Sequence, residues 1–237
     1  MRNLKLIYLL RNIGRCFASP FLFEKIRERW ERTVGNMKIE EIREKMKDRT
    51  PRTLEIMREY AVLILLTEKD GEPHFVFEKR AAGIKQPGDV CFPGGRLEPG
   101  ESPVQCALRE TEEEIGLKNI EIMGKYATQY ELTSIAMHAL CGFTPEEELS
   151  KIRINETEVA EVFSVPIRFF EETEPYIYDY DVIQDVKDFP YEKFGIRSDY
   201  KWRIGHKSIA LYQYEDKLIW GLTAAFVKRF AEEMAHK

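Results

Sequence analysis

Residues 92–117 read FPGGRLEPGESPVQCALRETEEEIGL, and this stretch narrows what the chain can fold into more than any other. It carries the signals that start and stop a helix. Ser102 is a candidate N-cap, Pro103 occupies the first helical position, and Gln105 completes a capping box with Ser102. Gly116 supplies the C-terminal stop. Between these ends Val104, Ala107, Leu108, Thr111 and Ile115 recur at helical spacing and share one face. At about 100° per residue, Glu110, Glu113 and Glu114 fall together on another flank, while Glu112 lies off the cluster and is expected in solvent.

Like charges one turn apart weaken a helix by roughly 0.2–0.5 kcal/mol per pair. Two readings accommodate them. The glutamates line a solvated face, screened by salt and by lysines, or they surround a divalent cation, which turns repulsion into ligation. Hard cations such as Mg²⁺ take carboxylate oxygens together with waters and substrate phosphates. The FPGG bend lets backbone approach a ligand closely. Arg109 stands next to Glu110 and can hold a carboxylate, and Glu101 can anchor the arginine.

The remainder divides into a charged helical start and a strand-rich body. Residues 1–59 read as an N-terminal helical extension. Ser19, Pro20 and Gly35 bracket one helix, and a second begins near Met37, which is a candidate start codon; a helical arm packed on the domain is the other reading of residues 1–36. Residues 60–237 form the main domain. Apolar and alternating runs joined by Asp70-Gly71 predict a hairpin, with further strands at 90–92, 120–130, 136–143 and 159–165. A last hairpin turns at Glu215-Asp216, and Thr223 is the expected cap of a C-terminal helix. Residues 171–205, rich in aromatics and charge, read as a loop or insertion. The fold class expected is α+β with a mixed central sheet.

A net charge of −5 offers no general footprint for nucleic acid. No apolar run reaches the length of a membrane span, and the run at 4–10 is too short and too soon followed by Arg11 for a signal peptide. The cysteines, Cys16, Cys91, Cys106 and Cys141, form no CxxC pair, so a reducing cytoplasm is expected.

Gly95, Glu101, Arg109, Glu110, Glu113, Glu114, Gly116 and Leu117 fall on the defining positions of the Nudix box, and the chain resembles the Nudix hydrolase superfamily. Thr111 departs from the bulky aliphatic usual at its position. The resemblance implies a Nudix α/β/α sandwich and cleavage of a nucleoside diphosphate linked to another moiety, with Mg²⁺ or Mn²⁺. It implies that Glu110, Glu113 and Glu114, aided by the Gly95 carbonyl, bind the metal. Glu113 and Glu114, with Arg109 and Glu101 orienting them, then form the catalytic set. The general base is left between a box glutamate and a distant acid, for which Glu156, Glu158 and Glu161 are candidates.

The segment before the box, VFEKRAAGIKQPGDVCFPGG, is similar to that of the coenzyme A pyrophosphatase subfamily, through Arg80-Ala81, Lys85, Gly88 and FPGG. Lys85 stands where arginine is usual, the spacing to Gly88 is one residue short, and Val76-Phe77-Glu78 replaces Leu-Leu-Thr. Arg80 and Lys85 suit the extra phosphate of coenzyme A; a solvated strand end is the other reading. A small nucleotide-type substrate is expected, with no nucleic acid and no membrane. ADP-ribose, NADH and nucleoside triphosphates are the alternatives, and a non-catalytic nucleotide-binding module is a further one. The N-terminal helices are candidates for a homodimer interface. Trp220 and Phe163 are expected in the core, His74 and His138 in structural roles, and His206 and Lys207 are weak candidates to face substrate.

Overall fold

A computed structural model of the chain describes residues 38–49, 56–131 and 134–235. The expectations for the helix at Ser19 and for the apolar run at 4–10 lie outside these residues. The chain divides into two units, Met1–Leu54 and Glu55–Lys237. In the first, helix α1 spans Ile39–Lys47, two residues later than the sequence suggested, with Glu40 and Glu41 in its first turn and Lys45 and Lys47 in its last. That distribution complements the helix dipole.

The second unit is built on strand β1 (Arg58–Lys69). β1 runs antiparallel to β2 (Glu72–Arg80), turning at Asp70-Gly71, and parallel to β6 (Ile135–Phe143), which in turn pairs with β5 (Glu121–Glu131). β7 (Val159–Pro166) lines the far edge of β2. The sheet is therefore mixed, as expected.

One detail of register positions everything functional. β1 and β2 stay paired only from Leu65↔Val76 to the turn, and then part. Residues 90–96 enter the gap: β3 (Val90–Cys91) pairs with β2, so that Glu78 faces Cys91, while β4 (Gly94–Arg96) pairs with β1, so that Val62 faces Gly94. Between them the Leu63 N–H donates to the Pro93 carbonyl at 2.8 Å.

Both faces of β1 are covered, which explains its near-continuous apolar run. Ala61, Leu63 and Leu65 pack on one side with Cys106, Ala107, Ile115 and Leu117 of or next to helix α2 (Pro103–Ile115). Ile64 and Leu66 join the other side, where Phe75 meets the rings of Phe92, Phe170 and Phe230 at 5.8, 5.5 and 5.3 Å. That layer contains the short helix α4 (Ile167–Glu172), helix α5 (Gly221–Ala235) and a second antiparallel sheet of β8 (Tyr176–Val182), β9 (Gly205–Tyr214) and β10 (Lys217–Trp220). A single turn, α3 (Glu146–Leu149), follows β6. The arrangement is helix, mixed sheet, then helices with a small sheet.

Two expectations change. The 171–205 segment is not all loop, because Tyr176–Val182 forms β8 against β9. Tyr178, Tyr180 and Val182 alternate with Asp179 and Asp181, a strand signal that the density of charge concealed. Thr223 does not cap the last helix, since that helix already begins at Gly221.

Helix α2 has the termini its sequence prescribes. Ser102 accepts the Gln105 N–H at 3.3 Å, and the Gln105 side chain accepts the Ser102 N–H at 2.9 Å. Gly116 closes the helix in the left-handed region at φ 75°, donating to the Glu112 carbonyl. Replacing Ser102 with Ala should cost about 1 kcal/mol of unfolding free energy. Denaturant melts of the two proteins check this, and an unchanged midpoint would mean that the cap does not hold the helix.

Candidate active site

Helix α2 presents its carboxylates to the FPGG backbone, but not all in one direction. Glu114 is turned inward and is only 4% exposed, on the same side as Ile115, where the sequence suggested a separate flank. Its Oε2 accepts the Gly94 N–H at 2.9 Å. Glu110 lies over Gly95 so closely that a Cβ there would stand 2.2 Å from Glu110 Oε1. At Gly94 a Cβ would meet the Ala61 carbonyl oxygen at 2.2 Å. The two glycines are thus needed for the volume they leave free. Glu113 points outward and is half exposed, and Glu112 pairs with Lys118 in solvent.

Arg109 ties the set together. Its Nε and Nη2 donate to the two oxygens of Glu101 at 2.9 and 3.1 Å, the bidentate geometry that fixes both partners. Its Nη1 reaches Glu110 Oε1 at 2.9 Å and Glu113 Oε2 at 3.0 Å, and Nη2 also donates to the Arg96 carbonyl at 3.3 Å. The Arg109 hydrogen bonds hold Glu101 below the usual carboxylate range. Glu101, Arg109, Glu110 and Glu113 therefore form one ion-paired chain, and Glu114 stands apart from it.

Burial raises the pKa of Glu110. It raises that of Glu114 too, with the charge of Glu78 as the second cause. Glu78, on β2, is raised first by its own burial, which the more distant charge of Arg80 only partly offsets, and among the described residues no lysine or arginine is hydrogen-bonded to it. The sequence assigns Glu78 no role, because it opens the charged run Glu78-Lys79-Arg80 at the end of β2.

The carboxylates open onto a cavity of about 680 Å³, the size of a small-ligand site. Gly94, Gly95, Glu110 and Glu114 form one part of its wall. Arg80 and Lys85 form another, on a loop whose ends are pinned by Arg80 N–H to the Asp89 carbonyl and Gly88 N–H to the Arg80 carbonyl at 2.9 and 3.0 Å. The Arg80 Nε donates to the Lys85 carbonyl at 3.0 Å. The apolar wall includes Val62, Met137, Phe226 and Trp220. Trp220 is a correction: it is 38% exposed, and its indole N–H donates to Asp89 at 3.3 Å, so it lines the cavity instead of filling the core. Phe163 packs on Phe77 at 5.7 Å.

Of the acids outside the helix, Glu158 lines the cavity, Glu161 is paired with Lys217 at 3.0 Å, and Glu156 is in solvent. His206 pairs with Asp181 and Lys207 with Glu131, and neither lines this cavity. His138 bridges Thr128 and Glu59, and His74 is buried in β2.

Carboxylate and carbonyl oxygens are the donors a hard divalent cation takes. Among the described residues no three such side chains already meet at one point, because Arg109 draws Glu110 and Glu113 toward itself while Glu114 is held by Gly94. The fit to a cation is in the chemistry: inward-turned carboxylates, raised in pKa by burial and by one another, lie against glycine backbone.

The model of the NUDIX domain matches residues 57–185. The chain is 36% identical over 116 residues to Nudix hydrolase 3 of Caenorhabditis elegans, covering 45% of this chain and 47% of that one. It is 31% identical over 134 residues to the peroxisomal coenzyme A diphosphatase NUDT7 of Mus musculus, covering 55% and 56%. An uncharacterized Nudix hydrolase NudL of Yersinia enterocolitica is 28% identical over 172 residues, covering 69% and 75%. The match thus spans about half the length of the first and second of these relatives. A solved MutT/nudix family protein from Enterococcus faecalis aligns with a TM-score of 0.45 at 17% identity, covering 93% of this chain and 78% of that one.

The raised carboxylates have a consequence for stability. A group whose pKa rises on folding contributes stability below its ordinary value, here 4.5, and loses it as the pH climbs through the raised value. With metal chelated, the melting temperature should fall between about pH 5 and about pH 9, where the raised value lies, and Glu114→Gln should flatten that fall. Equal slopes in the two proteins would show that Glu114 is not held protonated by its surroundings.

Proposed function

Since the chain belongs to the NUDIX domain family, we propose that it is a divalent-metal-dependent pyrophosphohydrolase whose substrate is coenzyme A or an acyl or oxidised derivative, cleaved to 3′,5′-ADP and the phosphopantetheine portion. The observation that carries this is one cavity with inward carboxylates at Gly94-Gly95 and the basic pair Arg80 and Lys85 on its wall.

Glu110, Glu113 and Glu114, with the Gly95 carbonyl, are the proposed holders of Mg²⁺ or Mn²⁺. When bound, such an ion neutralises pyrophosphate oxygens and lowers the pKa of a bound water. The protein's own residues do the rest. Glu101 fixes Arg109 in bidentate geometry, and Arg109 sets the rotamers of Glu110 and Glu113. Glu158 and the helix glutamates are the acids near enough to accept a proton from an attacking water. Arg80 and Lys85 are proposed to meet the phosphate that coenzyme A carries beyond its pyrophosphate, with Arg80 holding the Lys85 backbone in place. Trp220, half open to the cavity, offers a face for the adenine. The cytoplasm is the proposed location; Cys91, Cys106 and Cys141 are free thiols, and among the described residues no helix is long and apolar enough to cross a membrane.

Incubation with coenzyme A, ADP-ribose, NADH and the nucleoside triphosphates in Mg²⁺, followed by product identification, tests the reading. Release of 3′,5′-ADP is expected, and exclusive cleavage of ADP-ribose would overturn it. Glu114→Gln should lower kcat by about 10³-fold or more with the fold intact, as expected for loss of a transition-state charge partner. Arg80→Ala should lower kcat/KM for coenzyme A about 10-fold while leaving dephospho-coenzyme A nearly unaffected; equal losses on both substrates would remove the arginine from the phosphate site.

A further inference from the structure

Glu78 sits where β2 is flanked on both edges, by Cys91 of β3 and Val162 of β7. It is 1% exposed. Its Oε1 accepts the Cys91 thiol at 3.3 Å, a weak donor, and its Oε2 has no hydrogen-bond partner. No lysine or arginine forms a salt bridge with it among the described residues; the charge of Arg80 reaches it only at a distance, and the carboxyl groups of Glu110, Glu114 and Glu158 also lie within electrostatic reach. A buried acid kept for structure has its oxygens satisfied, since each orphaned polar atom weakens the fold. Glu78 has one oxygen free and a second acid for a neighbour. The partner that would satisfy both is a cation.

The divergence of β1 and β2 brings this about. It seats residues 90–96 in the gap, which puts Cys91 beside Glu78 and Gly94 against Glu114. Glu110 and Glu114 lie against the glycines, whereas Glu113 faces solvent and Arg109. The buried acids around residues 91–95 therefore come from two elements: Glu110 and Glu114, against the glycines, from helix α2, and Glu78, beside Cys91, from strand β2.

We propose that Glu78 is a further ligand of the divalent-cation site, contributing its unpartnered Oε2 from the sheet side to complement Glu110 and Glu114 of the helix. This rests on the proposed metal dependence above, and it concerns a position where the pattern of the coenzyme A pyrophosphatases has threonine.

Mn²⁺ alone, titrated into the full chain without substrate, tests it. Electron paramagnetic resonance of the free ion counts what is bound. Glu78→Gln should weaken Mn²⁺ binding about 10- to 100-fold. Glu78→Met, of similar volume but without an oxygen, should do the same. Water-proton relaxation by the bound Mn²⁺ should rise in both, because a water takes the lost ligand position. In chelator both variants should melt cooperatively, at or above the temperature of the parent, since an unsatisfied buried acid has been removed. Binding within twofold of the parent in both variants, or a lowered melting temperature in chelator with unchanged Mn²⁺ affinity, overturns the proposal and leaves the metal reading standing. If the parent itself takes up no Mn²⁺, or if Glu114→Gln binds it as tightly as the parent, the metal reading fails first and the Glu78 proposal with it.

Discussion

The parting of β1 and β2 is the feature on which the rest of the second unit depends. An antiparallel pair that separates leaves two inner edges of unpaired N–H and C=O groups, which must find partners when buried. Residues 90–96 supply them, through β3 on one side, β4 on the other, and the Pro93 carbonyl between. The inserted segment has to pass close to β1, and Gly94 shows how close: the Ala61 carbonyl occupies the space a side chain would need. Gly95 then leaves a hollow on the opposite side, which the Glu110 carboxylate fills. Two absent side chains thus set both the packing of the sheet and the seat of the acids.

The acids themselves weaken the fold. Glu110, Glu114 and Glu78 lose water on burial; Glu110 raises the pKa of both Glu78 and Glu114, and Glu78 raises that of Glu114. What offsets this lies on the same helix. Its ends are capped, its buried stripe of Cys106, Ala107 and Ile115 packs on β1, and Thr111, also buried, returns its hydroxyl to the Ala107 carbonyl at 2.6 Å. Arg109 neutralises the outer half of the acidic set through Glu101, Glu110 and Glu113. A rigid, well-capped helix can carry a strained set of charges at a functional site, where local rules are most often broken.

Helix α2 was legible because each of its signals is local. A cap, a proline and a glycine act within one turn, so Ser102, Pro103, Gln105 and Gly116 state their roles in order. The inward turn of Glu114 was not legible, because it depends on Gly94, a residue 20 positions away in the chain. Trp220 was misread for a similar reason: its exposure follows from where β10 meets the loop bearing Asp89, a contact spanning 131 positions. The burial of Glu78 was hidden as well, since Glu78-Lys79-Arg80 reads as a solvated strand end and only the pairing of β2 with β3 and β7 encloses its first residue. β8 was hidden by composition, its tyrosines and aspartates alternating within a segment that otherwise lacks period.

The cavity joins two opposite chemistries, and that pairing constrains what it can hold. On the proposed reading, a bound cation takes the place of the protons that burial favours on Glu110 and Glu114, and a phosphate meets these acids through that cation. Arg80 and Lys85 need no such intermediary and attract phosphate directly, in a chain whose overall charge of −5 would otherwise repel it. A ligand with a single phosphate group satisfies one wall and leaves the other with unbalanced charge. On the proposed reading, a ligand with a pyrophosphate and a separate phosphate meets both walls at once, whereas a simple nucleoside triphosphate carries all its charge in one chain.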